Sequence, residues 1–490
     1  MPLKAWPLLG ALALAGCSLA PTLKTPAVPV APTYKESAPW VAARPADRLP
    51  RGTWWMLYED ADLDGLEQRL IANSPDLDAA LARYREAESY SDQLRSGLYP
   101  SLAGTASIAR NRESQMTPLQ NLTAPMYYNE DVVGVQAQYE LDLWGRVRNE
   151  VRAGSAEAAA AAADLESARL SLEAQLADNY IVLRGLDRQL ALLNDTVEAY
   201  RQALDLINQR FNAGISSGLD VARAQNQLEA TRAQLETTQA QRAVAEHAIA
   251  ALVGASASQF SIAPRLVDLP VPQVPVGVPS TLLQRRPDIA AAQRRMEAAN
   301  AGIGVARSAY FPDITLSGAI GYETYRASHW ITAPNTFWAV GPSLLLDVFD
   351  AGKRKAQVAG ASAQLDEASA NYRSVVLGAF QQVEDNLALL DRDHRAAAAE
   401  QSAVKAADQS LDYATTLYRQ GASDYLNVVA SQTALLQARS DALGLDTGQL
   451  RASVQLIRAL GGGWEAGAAV AATSNPSSGT GVAAAAPAPR

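Results

Sequence analysis

Cys17 is the residue whose surroundings most clearly predict covalent chemistry. It is the single cysteine among 490 residues, and it ends the sequence Leu14-Ala-Gly-Cys17 after a short apolar run that follows Lys4. A positive charge, a short apolar run and small residues are typical of a secretory signal peptide. We therefore expect residues 1–16 to be removed and Cys17 to carry acyl chains on its sulfur and its new amino group, which would anchor the protein in a membrane. The alternative is an ordinary signal peptide that contains a cysteine by coincidence.

The remaining candidates for chemistry do not form a site. His247, His329 and His394 lie far apart in the sequence, without the spacing of metal ligands. Gly302-Ile-Gly304 lacks the third glycine of a dinucleotide-binding fingerprint and lies in a helix-like segment. The net charge of -9 argues against a nucleic-acid partner. We expect no catalytic residue, no metal site and no cofactor other than the lipid on Cys17, so the protein is not expected to be an enzyme.

The chain contains an internal repeat, which predicts two similar halves. Asn73-Ser-Pro-Asp-Leu77 returns as Arg285-Arg-Pro-Asp-Ile289, and Tyr99-Pro100 returns as Phe311-Pro312, both 212 residues later. Glycines beyond these motifs repeat with an offset of 207, which indicates one loop that differs in length. The predicted segments are a signal peptide at 1–16, an extended segment at 17–61, the first repeat at 62–254, a Pro-rich linker at 255–279, the second repeat at 280–464 and a disordered tail at 465–490.

Each repeat contains two segments with the alternation of β-strands. In the clearest one, Val133, Val135, Ala137 and Tyr139 share one face, and polar residues occupy the other face. Period-two alternation predicts a strand with one apolar side. The four predicted strands cover ~101–113, ~132–143, ~313–325 and ~337–349.

A long helical hairpin follows each pair of strands. The stretches 147–212 and 353–419 contain no proline, and each is followed by a glycine that can end a helix, Gly214 or Gly421. We therefore predict hairpins over 147–253 and 353–461, with tips near 214 and 421. Steps of three and four residues predict a coiled-coil seam in the last helix at Leu426, Val429, Thr433, Leu436, Ser440, Leu443, Thr447, Leu450, Val454 and Ile457.

The number of strands favours an assembly of several copies. A membrane does not tolerate open sheet edges, and the smallest single-chain barrels have eight strands. Two copies would supply eight strands around a filled interior, whereas three would supply twelve around a lumen. The alternative is a soluble antiparallel sheet packed on helical hairpins.

Several short motifs, in this order, resemble the TolC-like outer-membrane efflux protein family, in its OprM/NodT-type lipoprotein branch. They are Leu14-Ala-Gly-Cys17, Trp54-Trp55, Tyr139-Glu-Leu-Asp-Leu-Trp-Gly-Arg146, Arg285-Arg-Pro-Asp-Ile289, Phe311-Pro312 and Ala459-Leu-Gly-Gly-Gly-Trp464. The resemblance implies a mainly α fold with a small transmembrane β part. Three copies would form a twelve-stranded β-barrel in the outer membrane, continued by a long periplasmic α-helical barrel. The implied partners are a periplasmic adaptor protein and an inner-membrane, proton-driven pump of the resistance-nodulation-division type.

The resemblance also assigns roles near the helical tips. Residues that would close the periplasmic entrance are Tyr418, Leu426, Glu229, Asp220 and Asp424, and residues that would meet the adaptor are Arg210, Gly214, Ser217, Gly421 and Ser423. The family often has aspartates where this chain has Asn427 and Ala430. We therefore expect an apolar constriction at Leu426 rather than an acidic ring.

The predicted function is that of an outer-membrane channel that conducts drugs or other small molecules in an efflux system. Ser18, rather than an aspartate, follows Cys17, which by resemblance to bacterial sorting rules favours the outer membrane. One alternative is a TolC-like duct for polypeptide secretion. Another is a lipid-anchored coiled coil that bridges membranes without transport, although such a spacer needs no strands.

Overall fold

The computed structural model describes residues 18–32, 34–36, 52–112, 114, 126–272, 285–325 and 330–462. Cys17, His329, Trp464 and the tail at 465–490 lie outside these ranges. The described helices are α1 (Ala61–Asn73), α2 (Pro75–Ser96), α3 (Arg146–Asn212), α4 (Gly218–Leu252), α5 (Pro287–Ser308), α6 (Lys353–Arg419) and α7 (Tyr425–Ala459). The described strands are β1 (Ser101–Arg112), β2 (Tyr127–Glu140), β3 (Asp313–Thr324) and β4 (Thr336–Leu345).

The chain divides into two compact units, and each contains parts of both repeats. The first unit comprises the described residues within 1–29, 78–167 and 287–378, and it holds the sheet. The second unit comprises those within 30–77, 168–286 and 379–490, and it holds both helical tips. The units therefore do not coincide with the repeats at 62–254 and 280–464.

The first unit is built around one antiparallel sheet with the strand order β1-β2-β3-β4. The β2–β3 pair joins the two repeats, and Gly134 lies opposite Gly321 in its centre. A side-chain carbon on Gly134 would lie 2.8 Å from the Ile320 carbonyl oxygen, and one on Gly321 would collide with the Val133 carbonyl oxygen. Both positions therefore need glycine because the neighbouring backbone leaves no space for a side chain.

Two strands end before the predicted limits of 143 and 349, because the following residues begin a helix. The Asp142 carboxylate accepts hydrogen bonds from the backbone N–H groups of Val147 (3.2 Å) and Arg148 (2.9 Å) in the first turn of α3. Asp350 accepts one from the backbone N–H of Arg354 at 3.0 Å in the first turn of α6. These carboxylates satisfy N–H groups that have no partner within the helix, so residues 141–145 and 346–352 act as connectors.

The connector after β2 is tied to the start of β3. The Trp144 ring stacks on Phe311, with 4.6 Å between ring centroids, and its Nε1 donates a hydrogen bond of 3.0 Å to the Pro312 carbonyl. Arg146 donates from its Nε to Glu140 at 2.8 Å. We call this junction, residues 141–146 with 309–312, the base of the sheet. It fixes the direction in which α3 leaves the strands.

The long hairpins have equal lengths in the two repeats. Helices α3 and α6 have 67 residues each, and α4 and α7 have 35 each. At 1.5 Å per residue, the longer helices extend over ~100 Å and the shorter ones over ~50 Å. None of the described helices has an apolar stretch of the length and hydropathy needed to cross a membrane.

The predicted seam of α7 is wrong in its first half. Tyr425, Val428, Leu435 and Ala438 are buried there, whereas Leu426 is 49% exposed. Two of the predicted seam residues make polar contacts with the first repeat. Thr433 accepts a hydrogen bond from Gln227 (3.0 Å), and Ser440 accepts one from Gln189 (3.0 Å). Leu450, Val454 and Ile457 are buried as predicted. The face changes because α7 contacts neighbours on more than one side.

The core of the second unit surrounds a short 3-10 helix at Trp54–Tyr58, within the segment that was predicted to be extended. Trp54 and Trp55 are 1% and 2% exposed, and their rings meet edge to face at 6.0 Å. In the same unit, the buried Arg184 donates hydrogen bonds to the Asp187 carboxylate and the Ala263 carbonyl, both at 2.9 Å. The described part of the Pro-rich linker is therefore bound to α3.

Glu67 of α1 is a buried acid in this core. It is 0% exposed, and neither carboxylate oxygen has a hydrogen-bond partner within the described residues. Burial, and then the nearby Glu173 and Asp64, raises the pKa of Glu67 well above its ordinary value. Glu173 itself accepts hydrogen bonds from Trp54 Nε1 at 3.2 Å and Arg169 Nε at 3.0 Å. Glu67 therefore binds its proton more tightly in the folded chain than in the unfolded chain.

Replacement of this acid should change how stability depends on pH. The unfolded chain releases the Glu67 proton near pH 4.5, whereas the folded chain keeps it to higher pH, so the free energy of unfolding of the wild type falls as pH rises between these two pKa values. Glu67→Gln should raise the free energy of unfolding by about 1–3 kcal/mol at high pH and by less near about pH 5. Denaturant unfolding in detergent, followed by helical circular dichroism, measures both values.

The control is Glu86→Gln, which changes an exposed glutamate of α2. It should leave stability unchanged at both pH values. A gain for Glu67→Gln that is the same at both would contradict the raised pKa.

Candidate functional site

The two helical tips have the same backbone conformation. Gly214 and Gly421 have φ values of +74° and +76°. Residues that have a Cβ atom rarely adopt this left-handed conformation. The Ile215 N–H donates to the Arg210 carbonyl at 2.8 Å, and the Ala422 N–H donates to the Leu417 carbonyl at 2.9 Å. This pairing satisfies carbonyl groups at the helix end and requires a left-handed residue in between. Both tips thus turn at the glycines that the sequence indicates.

The returning helices begin differently. Ser217 and Asp220 form a capping box at the start of α4, in which the Asp220 N–H donates to Ser217 Oγ at 3.2 Å and the Ser217 N–H donates to the Asp220 carboxylate at 3.2 Å. Asp424 occupies the corresponding position of α7 without a side-chain capping bond. Asn427 Nδ2 instead donates to Ser423 Oγ at 2.8 Å. The predicted entrance acid Asp220 is therefore engaged in capping.

Tyr418 connects the two tips. Its side chain is 9% exposed, and its hydroxyl lies 3.2 Å from Ser216 Oγ of the first tip. The Arg210 guanidinium carbon lies 4.9 Å from the centroid of the Tyr418 ring, a cation–π contact. On the second tip, the Tyr425 ring lies 5.2 Å away, centroid to centroid. We call these four residues the tip joint.

The tip joint rests on an apolar cluster of the second unit. Its buried members are Ile207, Ala224, Ala414, Tyr418, Tyr425 and Val428. Burial raises the pKa of Tyr425 to about 12, with smaller contributions from Tyr418, Tyr200 and Asp220. Tyr425 keeps its proton at physiological pH.

The other predicted entrance residues do not belong to the tip joint. Leu426 is 49% exposed, although it follows the buried Tyr425 directly. Glu229 forms an ion pair with Arg232 at 2.8 Å on the surface of α4. The predicted set thus divides into three groups. Tyr418 packs within its own chain, Asp220 caps α4, and Leu426, Glu229 and Asp424 are exposed.

Tyr425 and Ser216 are contributors that the sequence reasoning missed. Tyr425 lies at the helix start, one position before the predicted seam residue Leu426, and the shift of the buried face conceals it. Ser216 follows Gly214 in the turn, and its sequence carries no signal of a bond to residue 418. An aromatic residue directly after a helix-capping position was the one available indication.

Comparison with known proteins identifies relatives over most of the chain. The model of the outer membrane efflux protein family matches residues 66–255 and 278–462. The outer membrane protein OprJ of Pseudomonas aeruginosa is 32% identical over 94% of this chain and 96% of its own length. The cation efflux system protein CusC of Escherichia coli is 28% identical over 95% of this chain and 99% of its own. The solved structure of the outer-membrane channel OprN has a TM-score of 0.83 at 30% identity and covers 91% of this chain and 100% of that one.

Removal of the central ring should loosen both tips. Tyr418→Ala deletes a buried ring from the apolar cluster, so local stability should fall by roughly 3 kcal/mol. Hydrogen exchange of backbone amides in both tips would then accelerate about 100-fold. Tyr418→Phe keeps the ring and the cation–π contact and should lower stability by only about 1 kcal/mol.

Tyr413→Ala is the matched control, because Tyr413 belongs to the same helix and is 68% exposed. Its effect on exchange should be small. Acceleration confined to the second tip in Tyr418→Ala would contradict the connection between the tips.

Proposed function

Because the chain belongs to the outer membrane efflux protein family, we propose that three copies of it form a channel that releases drugs or other small molecules through the outer membrane. The open four-stranded sheet carries this proposal. In the described residues, β1 and β4 are its edges, and each pairs on one side only. Exposed apolar side chains lie along the sheet, among them Ile108 at 76% and Trp338 at 73%.

Closure of the sheet explains why several copies are needed. Backbone N–H and C=O groups have no water to bond in a bilayer, so an open edge there costs several kcal/mol for each group. When β1 of one copy pairs with β4 of the next, the edges disappear. Three copies give twelve strands, which enclose a lumen, whereas two give eight and a filled interior.

The tips are the proposed periplasmic end. Arg210, Gly214, Ser217, Gly421 and Ser423 would meet a periplasmic adaptor, which links the channel to a proton-driven pump in the inner membrane. The tip joint would hold the two hairpins of each copy together at this end. Leu426 would form an apolar constriction, since Asp220 is engaged in capping and Asn427 is uncharged.

The lipid is proposed to be carried by Cys17. Ser18, the first described residue, lies in the first unit with the sheet. Acyl chains on Cys17 would therefore lie close to the part of the chain that enters the membrane.

The transported class is proposed broadly as small molecules. One relative is named for cation efflux, although it shares 28% identity over nearly the whole chain with this protein. A duct of this kind is therefore not confined to drugs, which is consistent with selection of the cargo by the pump. Export of polypeptides has no specific support among the described residues.

Loss of the gene should make cells more sensitive to dyes, detergents or antibiotics, measured as a lower minimal inhibitory concentration. The wild-type gene should restore resistance. Gly134→Val should fail to restore it, because its side chain would collide with the Ile320 carbonyl at the centre of the sheet. Gly318→Val is the matched control in the interior strand β3, where a side-chain carbon would come no closer than 3.9 Å to a neighbouring residue. Unchanged susceptibility of the deletion strain to a broad panel would argue against drug efflux.

Shortening of the constriction should widen the channel. Leu426→Ala should raise single-channel conductance in planar bilayers, because it removes apolar bulk from the proposed constriction. Leu219→Ala is the control, since Leu219 holds the equivalent position of the first repeat and is 58% exposed. Unchanged conductance in Leu426→Ala would rule out the constriction, and an equal increase in both variants would indicate that the tips have only loosened.

A further inference from the structure

Gly304 of α5 packs against the first described residues of the chain, near Ala20. A side-chain carbon at this position would lie 2.5 Å from Asn149 Nδ2 and 2.9 Å from the backbone nitrogen of Ala20. Contacts this short require one of the partners to move. Glycine at 304 therefore makes the space in which residues 18–21 lie.

This segment, which we call the strap, is held by polar side chains on two helices. Ser18 Oγ donates to Asn149 Oδ1 at 2.9 Å. Asn300 Nδ2 donates to the Pro21 carbonyl at 2.9 Å, and Arg307 donates to the Leu19 carbonyl at 3.2 Å. All these residues belong to the first unit. The bonds to carbonyls recognise the backbone of the strap, whereas Asn149 recognises the Ser18 hydroxyl.

Asn149 is the most constrained of these residues. It is 0% exposed, and its Nδ2 has no hydrogen-bond partner among the described residues. Without the hydrogen bond from Ser18, the buried amide would have no side-chain partner among the described residues. A buried amide on α3 that faces the start of the chain is costly unless the strap is in place.

Gly302 and Gly304 differ in the space around them. Both glycines belong to the Gly302-Ile-Gly304 motif, which is too short to bind a dinucleotide phosphate. A side-chain carbon on Gly302 would meet nothing within 4 Å. Close packing thus requires glycine at 304 alone.

We infer that Gly304, Asn149 and Asn300 form a seat for the chain's own amino terminus, and that this seat fixes the lipid-bearing residue beside the base of the sheet. The inference rests on the proposed acylation of Cys17. Consecutive Cα atoms are about 3.8 Å apart, so a lipid on the residue before Ser18 would be attached next to the strap, which Asn149 holds at the first turn of α3. The acyl chains then enter the membrane where the strands do, and the anchor sets the depth of the channel.

The chain is held again further along, within the second unit. The Tyr34 side chain is 3% exposed and packs against Val383, Leu387 and Leu456. The backbone N–H groups of Lys35 and Glu36 donate to the Glu384 carboxylate at 2.8 Å and 3.3 Å. The amino-terminal segment is thus bound at two points rather than trailing from the lipid.

Trypsin cleavage after Lys24 tests the seat in the purified full-length protein in detergent. Lys24 is exposed, but cleavage requires the surrounding segment to detach and enter the protease. Gly304→Ala should accelerate this cleavage about tenfold, since its side chain displaces the strap or Asn149. Gly302→Ala gains the same helix propensity and should cleave at the wild-type rate. Asn300→Ala removes one bond to the strap without added bulk and should also accelerate cleavage, which keeps the test decisive if Gly304→Ala does not fold.

The released peptide, residues 17–24, reports the lipid in the same experiment. An acylated mass together with faster cleavage in Gly304→Ala and Asn300→Ala supports the seat and its role in anchoring. Equal cleavage rates in these variants, Gly302→Ala and the wild type would overturn the seat. An unacylated peptide would overturn the proposed lipidation and with it the positioning of a lipid, whatever the rates, so the two failures are distinguishable.

Discussion

The open sheet is the constraint on which the rest of the structure depends. Within the described residues, a chain with four strands leaves one backbone edge on β1 and another on β4, and a bilayer offers these groups no partner. Assembly of several copies thus follows from the hydrogen bonds of the sheet, whereas the number three comes from the family and the need for a lumen.

The base of the sheet transmits this constraint to the helices of the first unit. Trp144 packs on Phe311, and Asp142 binds the first turn of α3, so the end of β2 and the start of β3 are fixed against each other. The proposed seat of the strap includes Asn149, the next residue of α3 after Arg148. The base of the sheet would therefore fix the positions of the strands, the start of α3 and the lipid relative to one another. A channel with long helices needs such a fixed base, because a small change in direction at the base becomes a large displacement at the far end.

The sequence predicted most of the architecture and less of the site. Repeat offsets, proline-free stretches and Gly214 and Gly421 located both hairpins, because these signals depend on local backbone chemistry. The seam of α7 was misplaced, because apolar spacing does not reveal which of several neighbours a face will meet. Tyr425 and Leu435 are buried, while Thr433 bonds to α4. The contacts of Ser18 and Ser216 join residues more than 100 positions apart, and no period in the sequence reports them.

The two repeats have kept one backbone and diverged in the side chains of their tips. Arg210 corresponds to Leu417, and the exposed Phe211, at 47%, corresponds to the buried Tyr418, at 9%. The cation therefore comes from the first tip and the ring from the second, so neither repeat alone can form the joint. A cation–π contact and one hydroxyl bond together contribute about 1–3 kcal/mol. A partner that binds the separated tips more tightly than the joined tips by this amount would shift the equilibrium towards separation. A joint of this strength is therefore weak enough for a binding partner to open.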